Sequence, residues 1–300
     1  MSARATPAIA FAAGTLGIAL FSAMDALMKG MTIAMGVYNA MLWRFGAIFV
    51  MSAIVHFARR PKRPGRAAMR IHLIRGLVTV VMSMLFFWGL AYVPMAQAIT
   101  LTYIAPLLAL YLAAVLLKER IGGAVIGASL LACAGVGVIL LGQTRAEMGD
   151  MALLGTVAII GSAICYSWNI ILMRQQALVA DPAEIAFFQS MIVGGTLALA
   201  APWLGAMLPA DQIAPTLLAA VLATVSLFLL SWAYARAEAH YLAPTEYTSF
   251  VWAALLGWLV FGEHVSFYTL AGAGLIVAAC LIAARRKPET MTHEAEAALP

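Results

Sequence analysis

Long apolar runs dominate this sequence, and each is about as long as a helix that crosses a lipid bilayer. The 300 residues are 64% hydrophobic and only 10% charged, whereas soluble domains are about half apolar and a quarter charged. A helix of roughly 20 apolar residues spans the hydrocarbon core. The predicted runs are 9–28, 37–57, 72–92, 95–117, 122–141, 151–173, 185–204, 217–236, 242–261 and 267–284. The sequence therefore predicts an all-α integral membrane protein with ten transmembrane helices.

Basic residues are concentrated in alternate connections between these runs, a pattern that sets orientation in a membrane. If both termini face the cytoplasm, nearly all of the 18 Lys and Arg residues lie on the cytoplasmic side. Only Lys29 and Arg145 lie outside, and Arg44 falls within a run. We therefore expect a multi-pass protein of the inner (plasma) membrane with both termini in the cytoplasm. Because this arrangement accounts for the net charge of +5, no nucleic-acid partner is predicted.

The two halves of the sequence resemble each other at an offset of 144 residues. The matched pairs are Trp88 with Trp232, Tyr103 with Tyr247, and Glu119 with Glu263. Each half has five runs, an odd number, so the second half enters the membrane from the opposite side. The prediction is an inverted 5+5 repeat, with repeats at 1–145 and 146–288 and a disordered cytoplasmic tail at 289–300. Inverted repeats are typical of transporters that expose one cavity to alternate sides.

Ten runs arranged as five plus five, the span-ending Glu119 and Glu263, and Arg44 in the second run resemble the EamA-type group of the drug/metabolite transporter superfamily. The resemblance covers residues 9–285. Within that group, the length and the aromatic-rich runs are most similar to the bacterial aromatic amino-acid exporters. The resemblance implies export through a central cavity that helices one to four and six to nine surround, with helices five and ten outside.

Charged side chains inside the apolar runs are candidates for function, because a charge at the bilayer centre costs about 2.5–3.5 kcal/mol. Asp25 and Arg44 fall at similar depths on neighbouring runs. We expect them to interact in or beside a cavity, either as a structural pair or as substrate contacts. Lys29 lies near the end of its run and is expected to extend to water.

Aromatic and polar side chains at helical spacing form a second set of candidate substrate-binding residues. They are Trp88, Tyr92, Gln97, Thr100, Tyr103, Trp168, Asn169, Trp232, Thr245, Thr248 and Trp252. Such groups offer hydrogen bonds and ring faces without net charge, which suits a neutral or zwitterionic organic solute. For the tryptophans and tyrosines the alternative is anchoring at the membrane interface.

Three glutamates near helix ends, Glu119, Glu246 and Glu263, are candidate proton or gate sites. A hydrated acid at a helix end is the ordinary alternative for Glu119 and Glu263. For Glu246, a position near a helix start is favoured by the helix dipole. Pro106 in the fourth run frees a backbone carbonyl and is expected to permit a bend.

No catalytic motif is apparent in the sequence, which lacks a phosphate loop, a His-Glu-x-x-His motif and a nucleophile elbow. The three cysteines and five histidines show no metal-ligand spacing. We therefore predict no enzyme activity, no metal site and no cofactor. The expected partners are a small-molecule substrate and the lipid bilayer, and the sequence leaves the oligomeric state open.

The favoured function is a secondary or facilitative transporter of small neutral or zwitterionic organic metabolites, above all amino acids including aromatic ones. It would work by alternating access around a central cavity, and export is what the resemblance implies. One alternative is a sugar-phosphate or nucleotide-sugar carrier, which would need several basic residues in the cavity. An alternative from another class is an intramembrane enzyme acting on lipids, which would need clustered His, Asp or Glu at membrane depth.

Overall fold

A computed structural model describes residues 7–59, 64–117, 123–145, 149–234, 236 and 239–284, and every regular element within these ranges is a helix. The helices are α1 (Pro7–Ala58), α2 (Arg66–Leu90), α3 (Met95–Thr102), α4 (Ile104–Leu117), α5 (Gly123–Arg145), α6 (Gly149–Ala177), α7 (Pro182–Leu204), α8 (Ala210–Tyr234), α9 (Ala239–Phe261) and α10 (Phe267–Ala284). Among the described residues, six helices are long and apolar enough to cross a membrane, and Met95–Ala109 and Phe267–Ile282 are shorter apolar helices. The all-helical membrane fold agrees with the sequence, whereas ten spans in an inverted repeat stay a prediction.

The outer surface of the described helices carries large apolar side chains, among them Leu130, Leu199, Trp203 and Val251, all well exposed. Soluble monomers rarely expose continuous apolar surface on this scale. A lipid environment accounts for this exposure, because the hydrocarbon tails of the lipids contact these side chains in place of water.

Helix α1 reverses direction at Gly36, where the backbone has φ 79° and ψ 152°. Glycine adopts this left-handed φ without the steric cost that a Cβ would bring. Arg44 Nη1 lies 3.0 Å from Met24 Sδ, although a straight helix would separate residues 20 apart by about 30 Å. The first half of α1 (7–35) and its second half (37–58) are therefore antiparallel neighbours.

The fourth predicted run, 95–117, is interrupted at Tyr103, between α3 and α4. Pro106 follows in the first turn of α4. Proline has no N–H and its ring clashes with the carbonyl four residues earlier, here that of Thr102. The helix breaks at this point, which is where the sequence predicts a bend.

Several helix ends meet at one end of the bundle, which we call the Lys29 end. Lys29 Nζ donates to the carbonyl of Val93 at 2.7 Å, between α2 and α3. Ala206, between α7 and α8, donates its N–H to Asn39 Oδ1 at 2.8 Å and accepts from Trp43 Nε1 at 3.0 Å. The turn at Gly36 and the connections 91–94, 205–209 and 262–266 therefore share this end.

The opposite end, which we call the Glu184 end, gathers the start of α2, the end of α6 and the start of α7. His72 Nε2 and Glu184 Oε1 are 3.0 Å apart. His72 Nδ1 and Gln176 Nε2 are 2.5 Å apart. The first half of α1 runs from the Glu184 end to the Lys29 end, as do α2, α7 and α9, whereas α6 runs the other way.

Glycines allow two pairs of helices to approach with their backbones in contact. A Cβ on Gly135 of α5 would lie 2.8 Å from the Gly272 carbonyl oxygen of α10, and one on Gly272 would lie 2.7 Å from that of Gly135. A Cβ on Gly89 of α2 would lie 2.4 Å from the Gly155 carbonyl oxygen of α6. Small residues at such crossings are the usual route to close packing in membranes. Helices α5 and α10 thus form a closely packed pair.

Candidate functional site

A cavity of about 730 Å³ lies among α1, α2, α3, α4, α6 and α9, and one residue of α10 reaches it. Its aromatic lining residues are Phe21, Phe86, Phe87, Tyr103, Tyr166 and Tyr247. Its hydroxyl-bearing and charged side chains include Ser22, Asp25, Arg44, Ser83, Ser162, Glu246 and Ser249. The volume falls within the range of about 300–1,000 Å³ that small-molecule sites occupy. A mainly aromatic and apolar cavity with a few polar groups is the usual form of such a site.

Asp25 and Arg44 are deeply buried in this wall, with exposed fractions of 3% and 5%. The Arg44 guanidinium donates to Met24 Sδ at 3.0 Å and Met41 Sδ at 3.8 Å. Its central carbon lies 4.7 Å from the ring centre of Phe45 and 5.1 Å from that of Phe87. Thioethers are weak acceptors and ring faces attract cations, so the charge is sheltered without being neutralised.

Two polar atoms of this pair have no hydrogen-bond partner among the described residues, namely Asp25 Oδ1 and Arg44 Nε. The two side chains are close enough to interact electrostatically, yet within the described chain they form no ion pair at 4.0 Å or less. The sequence predicted that they would meet in or beside a cavity, and the structure gives both a position on its wall. Their hydrogen-bonding capacity is only partly used by the protein.

Tyr103 and Glu246, two further candidates from the sequence, also line the cavity. The Tyr103 hydroxyl lies 2.6 Å from Ser249 Oγ. Its ring meets that of Tyr247 edge to face, with centres 5.4 Å apart. Glu246 is exposed, and because α9 begins at Ala239 it lies about two turns inside the helix rather than near its start. These residues connect α9 to the break between α3 and α4.

The remaining candidate binding residues from the sequence are not among the cavity-lining residues. They are Trp88, Tyr92, Gln97, Thr100, Trp168, Asn169, Trp232, Thr245, Thr248 and Trp252. The hydroxyls of the three threonines among them each donate to a carbonyl of their own helix. The sequence indicated their depth in the membrane but not the rotation of each helix.

The aromatic candidates outside the cavity have other neighbours. Trp88 packs against the exposed Tyr92, with ring centres 5.1 Å apart. Trp232 lies under the guanidinium of Arg236, whose central carbon is 4.3 Å from the ring centre. Trp168 is exposed on the outside of α6. These positions fit the interface anchoring that the sequence left open for them.

Asn169 belongs to a polar network that the sequence did not predict. Its Oδ1 accepts from Arg75 Nε at 3.2 Å, and Arg75 also contacts Gln176. Gln176 in turn bonds the fully buried His72, which pairs with Glu184. The network joins α2, α6 and α7 beside the cavity rather than inside it.

Lys29 does not extend to water, contrary to the prediction from the sequence, and Glu263 is not the hydrated helix-end acid that was its ordinary alternative. Lys29 is only 4% exposed, and its ammonium forms an ion pair with Glu263. Glu263 Oε2 also accepts the N–H of Met95 at 2.7 Å. The predicted run ended at residue 28, but the helix continues to residue 35, so Lys29 lies within it instead of reaching water.

Several residues of the cavity escaped the sequence reasoning, above all Phe21, Phe86, Phe87 and the serines. A signal was present for some of them, because residues three or four apart share a helix face. Ser22 stands three residues before Asp25, and Ser83 stands four before Phe87. Cys280 of α10 also lines the cavity and donates to the Tyr103 carbonyl at 3.2 Å. Helix ten is therefore not wholly outside the cavity, as the resemblance had implied.

Two predictions fall on parts of the chain that the structure does not describe. Glu119 lies outside the described residues, and so does the predicted tail at 289–300. Both stay predictions.

Comparison with known proteins gives one family. The sequence model of the EamA-like transporter family matches residues 8–141 and again 153–285. A riboflavin transporter of Rhizobium johnstonii is 32% identical over 281 residues, covering 90% of this chain and 89% of that protein. The pseudopaline exporter CntI of Pseudomonas aeruginosa is 27% identical over 270 residues, covering 89% and 93%. An S-adenosylmethionine uptake transporter of Rickettsia bellii is 23% identical over 285 residues, covering 93% and 94%.

A solved crystal structure shares the fold, with a TM-score of 0.60 and 24% identity, over 94% of this chain and 100% of the other. The family match covers most of the sequence in two segments, and the relatives named above are membrane transporters. The protein is therefore a multi-pass membrane transporter that belongs to the EamA-like transporter family.

Proposed function

We propose that this protein carries a small organic metabolite with a flat aromatic part and hydrogen-bonding polar groups across the membrane. The 730 Å³ cavity is the binding site. The observation that carries this proposal is the combination of aromatic walls with two buried polar atoms that lack partners among the described residues, Asp25 Oδ1 and Arg44 Nε.

The aromatic walls favour a flat, unsaturated substrate. Phe86 and Phe87 of α2 contact one another with ring centres 5.1 Å apart. Tyr247 of α9 and Tyr166 of α6 also line the cavity. Offset and edge-to-face ring contacts contribute about 0.5–1.5 kcal/mol each beyond burial of area. A substrate ring enclosed by such walls gains several of these contacts.

The unused polar atoms favour a substrate that both donates and accepts hydrogen bonds. A buried polar group without a partner costs about 1–3 kcal/mol. A ligand acceptor at Arg44 Nε and a ligand donor at Asp25 Oδ1 remove this cost when the ligand binds. A purely hydrocarbon substrate leaves it in place.

Among the metabolites that the relatives are named for, riboflavin fits these features well, because it joins a flat ring system to a hydroxylated chain. The cavity has room for a solute of that size. Aromatic amino acids, which the sequence favoured, are the second candidate class. The opposite charges of Asp25 and Arg44 suit an α-ammonium and an α-carboxylate group.

Sugar phosphates and nucleotide sugars have less support. Arg44 is the only Lys or Arg among the described residues that line the cavity. Burial of a phosphate dianion in a low-dielectric site is costly unless several cationic or amide groups pair with it. The aromatic walls also suit a sugar ring less well than a flat ring.

Alternating access between two inverted five-helix halves is the mechanism that we propose for the movement of this metabolite. Export is the direction that the resemblance to the exporters implies. The two family matches, of similar length and one in each half of the chain, support this arrangement. Rocking of such halves about a midplane site is the usual mechanism of inverted-repeat carriers.

The test is uptake into proteoliposomes of radiolabelled riboflavin, phenylalanine and a hexose phosphate, each measured with and without an excess of the same unlabelled compound. We expect saturable uptake of riboflavin, with phenylalanine weaker and hexose phosphate at background. Phe87→Ala removes a cavity wall and should reduce uptake, whereas Trp168→Ala on the outer surface should leave it unchanged. Saturable uptake of hexose phosphate alone, or of none of the three, would contradict the proposed substrate class.

A further inference from the structure

We propose that Lys29 and Glu263 form a lock that closes the cavity at the Lys29 end and must separate when the cavity opens there. The inference rests on the alternating access proposed above and assigns its closed side to named residues. It gives a role to Lys29, which was expected to extend to water, and makes specific the gate role for which Glu263 was a candidate.

The lock joins three separate parts of the chain. Lys29 is near the end of the first half of α1, and Glu263 directly follows the turn that ends α9. Lys29 Nζ donates to the Val93 carbonyl at 2.7 Å, and Glu263 Oε2 accepts the Met95 N–H at 2.7 Å. Each charge therefore also holds the backbone that leads from α2 into α3.

The lock lies next to the cavity along the first half of α1. Asp25, on the cavity wall, is four residues before Lys29, which is about 6 Å along the helix axis. Around the pair, Met28, Met31, Leu90 and Met95 are almost completely buried. The chain around the ion pair is therefore closely packed, and the cavity is closed at this end.

The other end of the cavity is more open. Phe21, one helical turn closer to the Glu184 end than Asp25, is 44% exposed, whereas Asp25 is 3% exposed. On α6, Tyr166 is 37% exposed, whereas Ser162, one turn closer to the Lys29 end, is 3% exposed. The exposed lining residues therefore lie towards the Glu184 end, and the structure corresponds to the state closed at the Lys29 end.

The backbone near Glu263 is arranged to present its carboxylate to Lys29. Gly262 has φ +65°, a value that glycine adopts readily, and it turns the chain at the end of α9. A Cβ on Gly257 would lie 2.6 Å from Glu263 Oε2, so this glycine leaves room for the carboxylate. Two glycines thus determine where the acid lies.

An ion pair suits a contact that must form and break. Separated charges regain their hydration when water enters an open cavity, whereas a closed and dry site favours the paired state because isolated buried charges are costly. The Lys29 ammonium also lies 5.2 Å from the ring centre of Phe261, a cation–π contact that adds to the ion pair in this closed state.

The experiment measures access to the cavity from each face of the membrane. In a background with Cys133→Ala, Cys165→Ala and Cys280→Ala, Ser22→Cys provides a thiol on the cavity wall. A membrane-impermeant maleimide is added to sealed vesicles of either orientation. The parent should react faster from the Glu184 face, and Glu263→Gln or Lys29→Met should raise the rate from the Lys29 face by about tenfold or more, since a shift of that size follows from a modest change in state populations.

A matched control uses another acid–base contact, that between His72 and Glu184. Glu184→Gln alters the His72–Glu184 pair at the opposite end and should not raise labelling from the Lys29 face. If the lock variants fold poorly, Gly257→Ala keeps both charges but crowds the Glu263 carboxylate, and it should raise the same rate.

Equal labelling of the parent from both faces would overturn the proposal, as would unchanged rates from the Lys29 face in well-folded lock variants. Labelling requires no substrate. Faster labelling without transport of any metabolite tested would therefore support the lock while contradicting the proposed substrate.

Discussion

Replacing Arg44 by methionine separates two roles of this side chain, ligand binding and helix packing. Its protein neighbours are the sulfurs of Met24 and Met41 and the rings of Phe45 and Phe87. A methionine can fill the same space, because its flexible thioether adapts to irregular apolar surroundings and contacts rings favourably. The substitution should therefore preserve packing while removing every donor that a ligand could use.

The magnitude follows from the donor that is lost. A hydrogen bond to a charged group contributes about 1.5–3 kcal/mol. At about 1.4 kcal/mol per factor of ten, we expect the dissociation constant of the transported metabolite to rise about 10- to 150-fold. Two contributions to the folding free energy oppose each other, and thermal melting measures their balance. Loss of the unpartnered Nε stabilises the fold, and loss of the attraction to Asp25 destabilises it.

The assay is a titration of the protein in lipid nanodiscs with whichever metabolite the transport assay selects, together with thermal melting of the same sample. Arg70→Met, which changes an exposed arginine of α2, is the control and should bind as the parent does. If Arg44→Met binds as tightly as the parent, Arg44 does not contact the ligand. If it fails to fold, the side chain is structural.

Three further outcomes are expected. Gly135→Ala should lower the melting temperature, because its Cβ meets the α10 backbone and overpacking costs about 1–3 kcal/mol, whereas Gly137→Ala has open space and should be neutral or stabilising. Gly36→Ala should destabilise by about 1–3 kcal/mol, because φ 79° with ψ 152° lies in a region that is essentially restricted to glycine, and denaturation in mild detergent measures it. Tyr103→Phe should cost about 0.5–1.5 kcal/mol through loss of the contact with Ser249, and a rise rather than a fall in melting temperature would contradict the assigned hydrogen bond.

The sequence predicted the fold more fully than the site. Run length and turn residues located the helices, because the lipid demands long apolar segments whatever their packing. The break near Pro106 was also predictable from the missing N–H. What the sequence could not reveal was the face that each helix presents. Helices that are apolar on all sides show no polar stripe to mark the interior, so Trp88 and Trp168 could not be distinguished from Phe87 by depth alone.

The charged residues also show what could not be predicted from the sequence, namely contacts between distant parts of the chain. Lys29 interrupts an apolar run, so hydropathy ends the helix there. Its partner Glu263 is 234 residues away. Only the folded chain brings the two together. Pairing with a distant residue of opposite charge offsets the free-energy cost of burying Lys29.

The contact between Tyr103 and Tyr247 has a consequence for movement. The 144-residue offset that relates the two halves of the sequence carries one tyrosine onto the other. In the scheme proposed above, the halves trade conformations when the transporter changes state. When the halves exchange conformations, each tyrosine takes the place of the other, so the contact between the two rings can persist. Contacts between positions that are not equivalent break and form again. The two rings would act as a pivot about which the walls of the cavity swing.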